Sequence, residues 1–522
     1  MAADQQHRTV QPYVGFPVQD DGNGPTSVVP AALIATASNG RAPGAAGPGR
    51  AVVASQRPAT VDYALIERIK NSVNSSLDKV QESRETPLDD DGVKQLARQL
   101  IEEALQGLAR DRTNAGQAPL RAEEEQRVRA AVFSALFGLG RIEPLLNDPD
   151  VEDIVITGTR PVYLLYSDGR QELAPPVADT NEELLNQLQL IATHHGQNER
   201  QVSASMPFLN MRLPDGSRLA AMWSITPEPH IVIRKHRFVD ISLADLVRMG
   251  TLSGAMAAFL SAAVAGKCNI LVVGSPRAGK TTLLRALARC LPAAERVATL
   301  ETEYELLLHE LRDDRGELRW PHMLPCETRP GTGEVLADGR VIGEVNLEHL
   351  LPQSLRMSVD RVIVGEARGP EVEPMLMAML RGYPGSMSTF HANSAHSSFD
   401  GLGSLLMSNN NAWNRESAQH FIASALDLIV YVDYVDIPGG RQRFVTEIVE
   451  VTGPGEGTRP ATTTIFGPNP QLESAGDPRG YPLHQPESTR GRLRRVGFNW
   501  NWLSEQHGSW ENPFPHGGRS AA

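Results

Sequence analysis

The sequence predicts an α/β protein. A parallel sheet, covered by helices on both faces, carries a phosphate-binding loop; a smaller mixed α/β domain and a small helical bundle precede it. Three observations predict this. The first is G-S-P-R-A-G-K-T at Gly274 to Thr281, which fits G-x-x-x-x-G-K-[ST] at every fixed position. The second is an alternation of short apolar runs with helical patterns through residues 253–450, with strands expected at 270–273, 296–300, 361–365, 386–390 and 428–432. The third is length, since 522 residues exceed a single domain and suit about three.

The elements follow in order. Residues 1–58 are rich in Gly, Pro, Ala, Ser and Gln without a sustained period and read as a disordered tail. Residues 61–140 read as a three-helix bundle. Leu65, Ile69, Val73 and Leu77 form one stripe, Val93, Leu96, Leu100, Ala104 and Leu108 a second, and Val128, Val132, Ala135, Leu136 and Leu139 a third. Glu123 to Glu125 suit the N-terminus of the last helix. Residues 141–236 read as a mixed α/β domain, with hairpins turning at Asp168-Gly169 and Pro214-Asp215-Gly216 and a helix over 182–195. Arg212, Arg218 and Arg234 lie in or beside its strands, and from the pattern alone read as solvated strand residues. A linker covers 237–252. The stretch 312–345 reads as an extended loop or hairpin insertion, and 451–522 as an irregular tail with a possible strand at 461–466. Within that tail Arg490, Arg492, Arg494 and Arg495 precede Phe498, Trp500 and Trp502. This is either a polyanion or lipid-surface contact, or a peripheral strand with a hydrophobic anchor.

Bulk properties narrow the function. A net charge of −12 argues against a chain whose main work is coating nucleic acid. Cys268, Cys290 and Cys326 form neither a disulfide framework nor a C-x-x-C metal site, and suit a reducing cytoplasm. The N-terminus lacks a basic-then-apolar signal pattern. The most apolar window, Met256 to Val273, is broken by Lys267 and Asn269 and reads as a core helix and strand, which leaves any membrane role peripheral.

The chemistry gathers around the loop. Its nucleotide-binding candidates are Gly274, Ser275, Pro276, Arg277, Ala278, Gly279, Lys280, Thr281 and Thr282. The glycines let backbone approach a ligand, the loop N–H groups and the helix start face an anion, Lys280 adds charge, and the Thr281 hydroxyl suits Mg²⁺. A second apolar strand runs into Gly365-Glu366-Ala367-Arg368. It sets a carboxylate where Mg²⁺ or its water is held, and an arginine that either reaches toward phosphate or pairs with Glu371 or Glu373. After the strand ending at Leu300 come Glu301 and Glu305. Their carboxylates suit water activation or metal ligation; four-residue spacing alone equally fits an acidic helix N-terminus. The fourth strand candidate ends Thr389-Phe390-His391, a place from which a histidine can sense the γ-phosphate.

These elements together resemble the secretion-ATPase superfamily, the hexameric motors of type II and type IV secretion and type IV pili. The tight-adherence (CpaF-type) branch is the nearest in pattern. The resemblance rests on L-N-D-P-D-V-E-D-I at 146–154, R-L-P-D-G-S-R at 212–218, I-V-I-R-K at 231–235, the loop at 274–282, L-E-T-E-Y-E-L at 300–306, S-L-R-M-S-V-D-R-V-I-V-G-E-A-R-G at 354–369 and S-T-F-H-A-N at 388–393. It implies a RecA-like ATPase domain, ATP and Mg²⁺ as cofactors, a homo-hexamer and an inner-membrane platform protein as partner. Glu366 then matches the Walker B glutamate, and His391 the His-box histidine. Arg218 and Arg234 match arginines laid over the nucleotide by the domain before the loop. Thr302 stands where the acidic box usually has aspartate, so Glu305 becomes the first choice for the water-activating group and Glu301 the second. A conjugation-type DNA motor is the alternative load, and a non-motor kinase the alternative engine.

Overall fold

The computed structural model describes residues 62–83, 88–166, 169–195, 207–235, 240–329, 341–437, 440–455, 459–469 and 477–504, with 331, 336, 510, 511 and 514. The tail expected at 1–58 and Asp168 of the first hairpin turn lie outside them. The chain divides into two compact units at residues 237 and 238.

The first unit begins with three helices, α1 (Tyr63–Glu82), α2 (Asp90–Asn114) and α3 (Ala122–Phe137). The Asp62 side chain caps α1 by accepting the N–H groups of Ala64 and Leu65. Leu65, Ile66, Ile69, Val73 and Leu77 of α1 meet Val128, Val132 and Leu136 of α3 in one apolar core. On α2 the fully buried residues are Ala97, Ile101 and Leu105, one position along from the expected stripe, whose residues sit half-buried at its margin. Small Ala97 at the centre lets the helices approach, which hydrophobicity alone ranks below Leu96 and Leu100. Leu139, assigned to the third stripe, belongs instead to the core of the next element group.

That group contains a short α4 (Glu143–Leu146), β1 (Val151–Thr157), β2 (Val162–Tyr166), β3 (Gln171–Ala174), α5 (Asn181–His195), β4 (Phe208–Arg212), β5 (Arg218–Met222) and β6 (His230–Arg234). The strands form a six-stranded sheet in the order β3-β2-β1-β6-β5-β4. Every pairing is antiparallel. Strict alternation sends Ile154, Ile156, Leu219, Ile231 and Ile233 to the face covered by Leu184, Leu188 and Ile191 of α5. The residues that alternate with these take the opposite face. There, register aligns Arg212, Arg218 and Arg234 in one cross-strand row that ends on Asp153.

The second unit opens with α6 (Leu243–Arg248), inside the segment expected to be linker, and α7 (Gly254–Ala265). It continues with β7 (Ile270–Gly274), α8 (Lys280–Ala288), β8 (Val297–Glu301), β9 (Leu324–Glu327), α9 (Leu347–Ser354), β10 (Arg361–Val364), α10 (Val372–Leu380), β11 (Met387–His391), α11 (Ser397–Asn409), α12 (Arg415–Ala425), β12 (Leu428–Ile437), β13 (Gly440–Pro454), β14 (Pro460–Pro468), β15 (Gly480–Pro482) and α13 (Arg490–Arg495). Nine strands lie in the order β15-β14-β13-β12-β7-β11-β10-β8-β9. From β9 to β12 the pairing is parallel. Alternate residues of β7 enter two cores: Ile270 and Val272 join Met256, Phe259 and Leu287, while Leu271 and Val273 join Leu376, Leu402 and Ile422. Helices therefore cover both faces, as a parallel sheet requires.

The sheet departs from expectation at both ends. β13, β14 and β15 extend it with antiparallel strands, so it is mixed. The boundary expected at 450 falls inside β13. Within the stretch expected as an insertion, β9 pairs parallel with β8 despite Pro325, which an edge strand tolerates. The basic-aromatic cluster is a short helix followed by an apolar anchor. Leu493 and Phe498 are buried, and Phe498 meets Phe259 edge-on. The Arg492 guanidinium donates to Asp427 Oδ2 at 2.8 Å and to the Lys267 carbonyl at 3.2 Å. Those contacts lie at the N-terminal edge of β7 and β12, where Asn269 also accepts the N–H groups of Gly385 and Ser386 and donates to the Ala425 carbonyl. Among the described residues no helix is long and apolar enough to cross a membrane.

Candidate active site

The C-terminal ends of β7, β8, β10 and β11 lie along one edge of the parallel sheet, and the expected chemistry gathers there. β7 runs directly into the loop. Arg277 and Gly279 both take left-handed backbone, with φ 66° and 99°, which bends residues 275–279 back over the strand end. Gly274 is required by a neighbour: a Cβ there would lie 2.3 Å from the Val432 carbonyl oxygen of β12. Arg443 of β13 braces the loop from outside, its Nε donating to the Arg277 carbonyl at 3.0 Å. Helix α8 starts at Lys280, so its unsatisfied N–H groups open onto the loop.

Lys280 is 7% exposed, and burial lowers its ammonium pKa to about 8, against the raising influence of Glu366. Its Nζ donates to the Ser275 carbonyl at 3.1 Å and lies 3.1 Å from His391 Nδ1. An ammonium only donates, so Nδ1 accepts and the imidazole proton sits on Nε2. Nε2 lies 2.6 Å from Glu366 Oε1. The other Glu366 oxygen meets the Arg368 guanidinium. Lys280, His391, Glu366 and Arg368 thus form one continuous polar chain. Parallel register explains it, because His391 pairs with Gly274. Burial, followed by the Lys280 charge, holds the His391 pKa below its ordinary value. Pairing with Glu366 raises that of Arg368, and Glu305 and Glu303 add to its field. Arg368 does not bridge to Glu371 or Glu373 in the manner spacing allowed. Glu371 instead accepts the backbone N–H groups of Arg368 and Gly369.

The acidic segment after β8 is a turn, not the helix N-terminus that its spacing also fitted. Glu301 ends the strand at 2% exposure. Its Oε2 accepts the N–H of Glu305 at 2.8 Å and that of Leu306 at 2.7 Å. Burial pushes the carboxyl up to about 7, with the two backbone donors opposing. Glu305 is half-buried, and its carbonyl accepts the Arg285 guanidinium of α8. Arg285, 4% exposed, is a site residue that the sequence reading missed. Its signal was there: it is the charged member of an otherwise apolar run from Leu283 to Ala288. Arg443 had no comparable signal, because its contact depends on β13 folding back beside the loop.

Arg218 and Arg234 belong to the first unit. The Arg234 guanidinium pairs twice with Asp153, Nε to Oδ1 at 2.9 Å and Nη2 to Oδ2 at 3.3 Å, and Asp153 is itself buried.

The donors suit Mg²⁺ held mainly by phosphate and water. Thr281 offers a hydroxyl and Glu366 a carboxylate, and among the described residues no group of three or more His, Cys, Asp or Glu side chains is gathered into a cage.

Fold and site together define a phosphate-loop α/β protein with a histidine-linked second carboxylate. Residues 137–449, more than half of the chain, match the family model of the type II/IV secretion system protein, and the chain belongs to that family. Protein MJ0781 of Methanocaldococcus jannaschii is 32% identical over 273 residues, covering 50% of this chain and 34% of that one. VirB11 of Agrobacterium fabrum is 33% identical over 181 residues, covering 34% and 47%. The type IV secretion system protein PtlH of Bordetella pertussis is 28% identical over 339 residues, covering 59% and 93%. The chain thus spans about a third of the first of these relatives and about half of the second.

Proposed function

We propose that the chain is an ATP-hydrolysing motor with a RecA-like core, working as a ring of six to power pilus assembly or protein secretion at the cytoplasmic membrane. The observation that carries this reading is the polar chain Lys280–His391–Glu366–Arg368 on the strand ends beside the phosphate loop. Membership of the secretion family supports the motor role. The match to the tight-adherence motifs and the platform-protein partner rest on the sequence resemblance.

In this reading the loop amides and the α8 N-terminus take the β- and γ-phosphates, and Lys280 turns from Ser275 and His391 to the phosphate oxygens. Thr281 and Glu366 would hold Mg²⁺, which would supply neutralisation of phosphate charge. A water oxygen attacks the γ-phosphorus and the bond to the ADP oxygen breaks. The water's proton passes to one of two candidate carboxylates of the acidic turn, of which Glu305 is the first choice. Arg368 balances the charge that develops, and His391, hydrogen-bonded to Lys280 and lying against Glu366, registers whether phosphate is present. Arg218 and Arg234 are proposed to close on the phosphates and to open when they leave.

ATP turnover by the full chain and its Lys280→Ala variant tests the reading. The expected result is a loss of about 100-fold or more in the variant. Undiminished turnover by Lys280→Ala would overturn the site. Solution mass with a non-hydrolysable ATP analogue is expected to rise to a hexamer. A monomer under every condition would sink the ring, and salt-sensitive, DNA-stimulated hydrolysis would redirect the load from protein to DNA.

A further inference from the structure

The geometry points to Glu301 as a positioning residue that acts through Glu305, not as the group that takes the water's proton. This rests on the ATPase reading above and divides labour between its two candidate carboxylates.

Glu301 Oε2 accepts two backbone N–H groups, those of Glu305 and Leu306. A carboxylate occupied in this way is closing a turn, as an N-cap side chain closes the start of a helix. The remaining oxygen, Oε1, is buried and has no hydrogen-bond partner. The Glu301 side chain also packs against backbone that leaves it little room. A Cβ on Gly365 would come within 3.1 Å of Glu301 Cγ.

Glu305 receives the benefit. Its N–H is fixed by Glu301 and its carbonyl by Arg285, so both ends of its backbone unit are held by buried charged groups. Arg285 lies on α8, four residues after Thr281, so the helix that starts at the phosphate loop also holds the acidic turn. The half-buried Glu305 side chain lies in the electrostatic reach of Lys280 and Arg368, at a position the clamp has set. Such positioning counts because a misplacement of about 1 Å costs about 100-fold in rate.

One feature makes the proposal separable by experiment. Both N–H bonds go to a single oxygen, and the amide oxygen of glutamine can accept both. Glu301→Gln therefore keeps the clamp while removing any capacity to act as a base. Steady-state ATP hydrolysis and binding of a fluorescent ATP analogue are measured for the full chain and for Glu301→Gln, Glu301→Ala and Glu305→Gln. Glu301→Gln is expected to keep kcat within about threefold, Glu301→Ala to lower kcat by about tenfold or more with analogue affinity unchanged, and Glu305→Gln to lower kcat by about 100-fold or more. If Glu301→Gln is as inactive as Glu305→Gln while still binding the analogue, Glu301 is the reacting carboxylate and the proposal falls. Glu301→Gln decides the matter even if Glu301→Ala fails to fold. Failure of the underlying reading looks different: the unaltered chain, or Lys280→Ala, would give turnover that no acidic-turn variant changes.

Discussion

Lys280 shows what the site costs before a nucleotide arrives. Its charge is buried, and it is held by a carbonyl and an imidazole nitrogen, with Glu366 beyond the ring. Its folded-state pKa, about 8, lies below the ordinary 10.5, so between those pH values the folded chain binds fewer protons than the unfolded one. Stability from this group therefore rises as pH climbs from about 8 to 10.5, and its deficit is fully present below 8. Lys280→Ala should accordingly raise the nucleotide-free melting temperature at pH 7 even as it removes hydrolysis, and the advantage should shrink by pH 9.5. Thermal melts of both proteins at the two pH values check this, and a variant less stable at pH 7 would contradict it. At this scale the sequence was legible where a motif fixes residue types, at Lys280 and Glu366. It was not legible where a side chain serves backbone. Nothing in L-E-T-E-Y-E-L shows that Glu301 spends its carboxylate on the N–H groups of Glu305 and Leu306.

The strand ends align at the next scale because the pairing is parallel and the register exact enough to set His391 beside Gly274. That register depends on β7 lying tight against β12. Gly274→Ala places a methyl group 2.3 Å from the Val432 carbonyl, so β12 or the loop must shift. The expected cost is about 2 kcal/mol or more, with weakened analogue binding. Denaturant unfolding and a binding titration measure the two, and an unchanged midpoint would show that the strands give way freely. Arg443→Ala should weaken nucleotide binding, since it removes the brace on the Arg277 carbonyl; equal affinity in a binding titration would contradict it. The buried strands of this sheet were readable as continuous apolar runs. β14 was legible as the possible strand at 461–466, whereas β9 was not, for Pro325 gives the composition of a loop, and edge pairing supplies what composition does not.

Across the second unit, residues 477–504 contribute to the core. Glu450 is fully buried, and it accepts the Glu487 N–H, the Thr489 N–H and the Thr489 hydroxyl. Phe498 covers Phe259, and Arg492 holds Asp427. Removing residues 477–522 would strip a buried carboxylate of these donors and expose aromatic rings. The shortened chain is expected to aggregate or to melt well below the full chain, and a scan showing equal melting temperatures would refute this. From the sequence, a hydrophobic anchor at Phe498 was one of two alternatives, and the packing bears it out, while the buried role of Leu493 and the Glu450 contacts carried no sequence signal. The two ends of the parallel strands therefore have different tenants, phosphate chemistry at one and the Arg492–Asp427 anchorage at the other. A pull on the C-terminal segment would reach the sheet at the roots of β7 and β12, whose tips carry the phosphate loop and its neighbour. Force along those strands loads the bonds of a parallel ladder together in shear, where a sideways pull would open them one by one. The strands that carry the phosphate loop are thereby stiff along their own length.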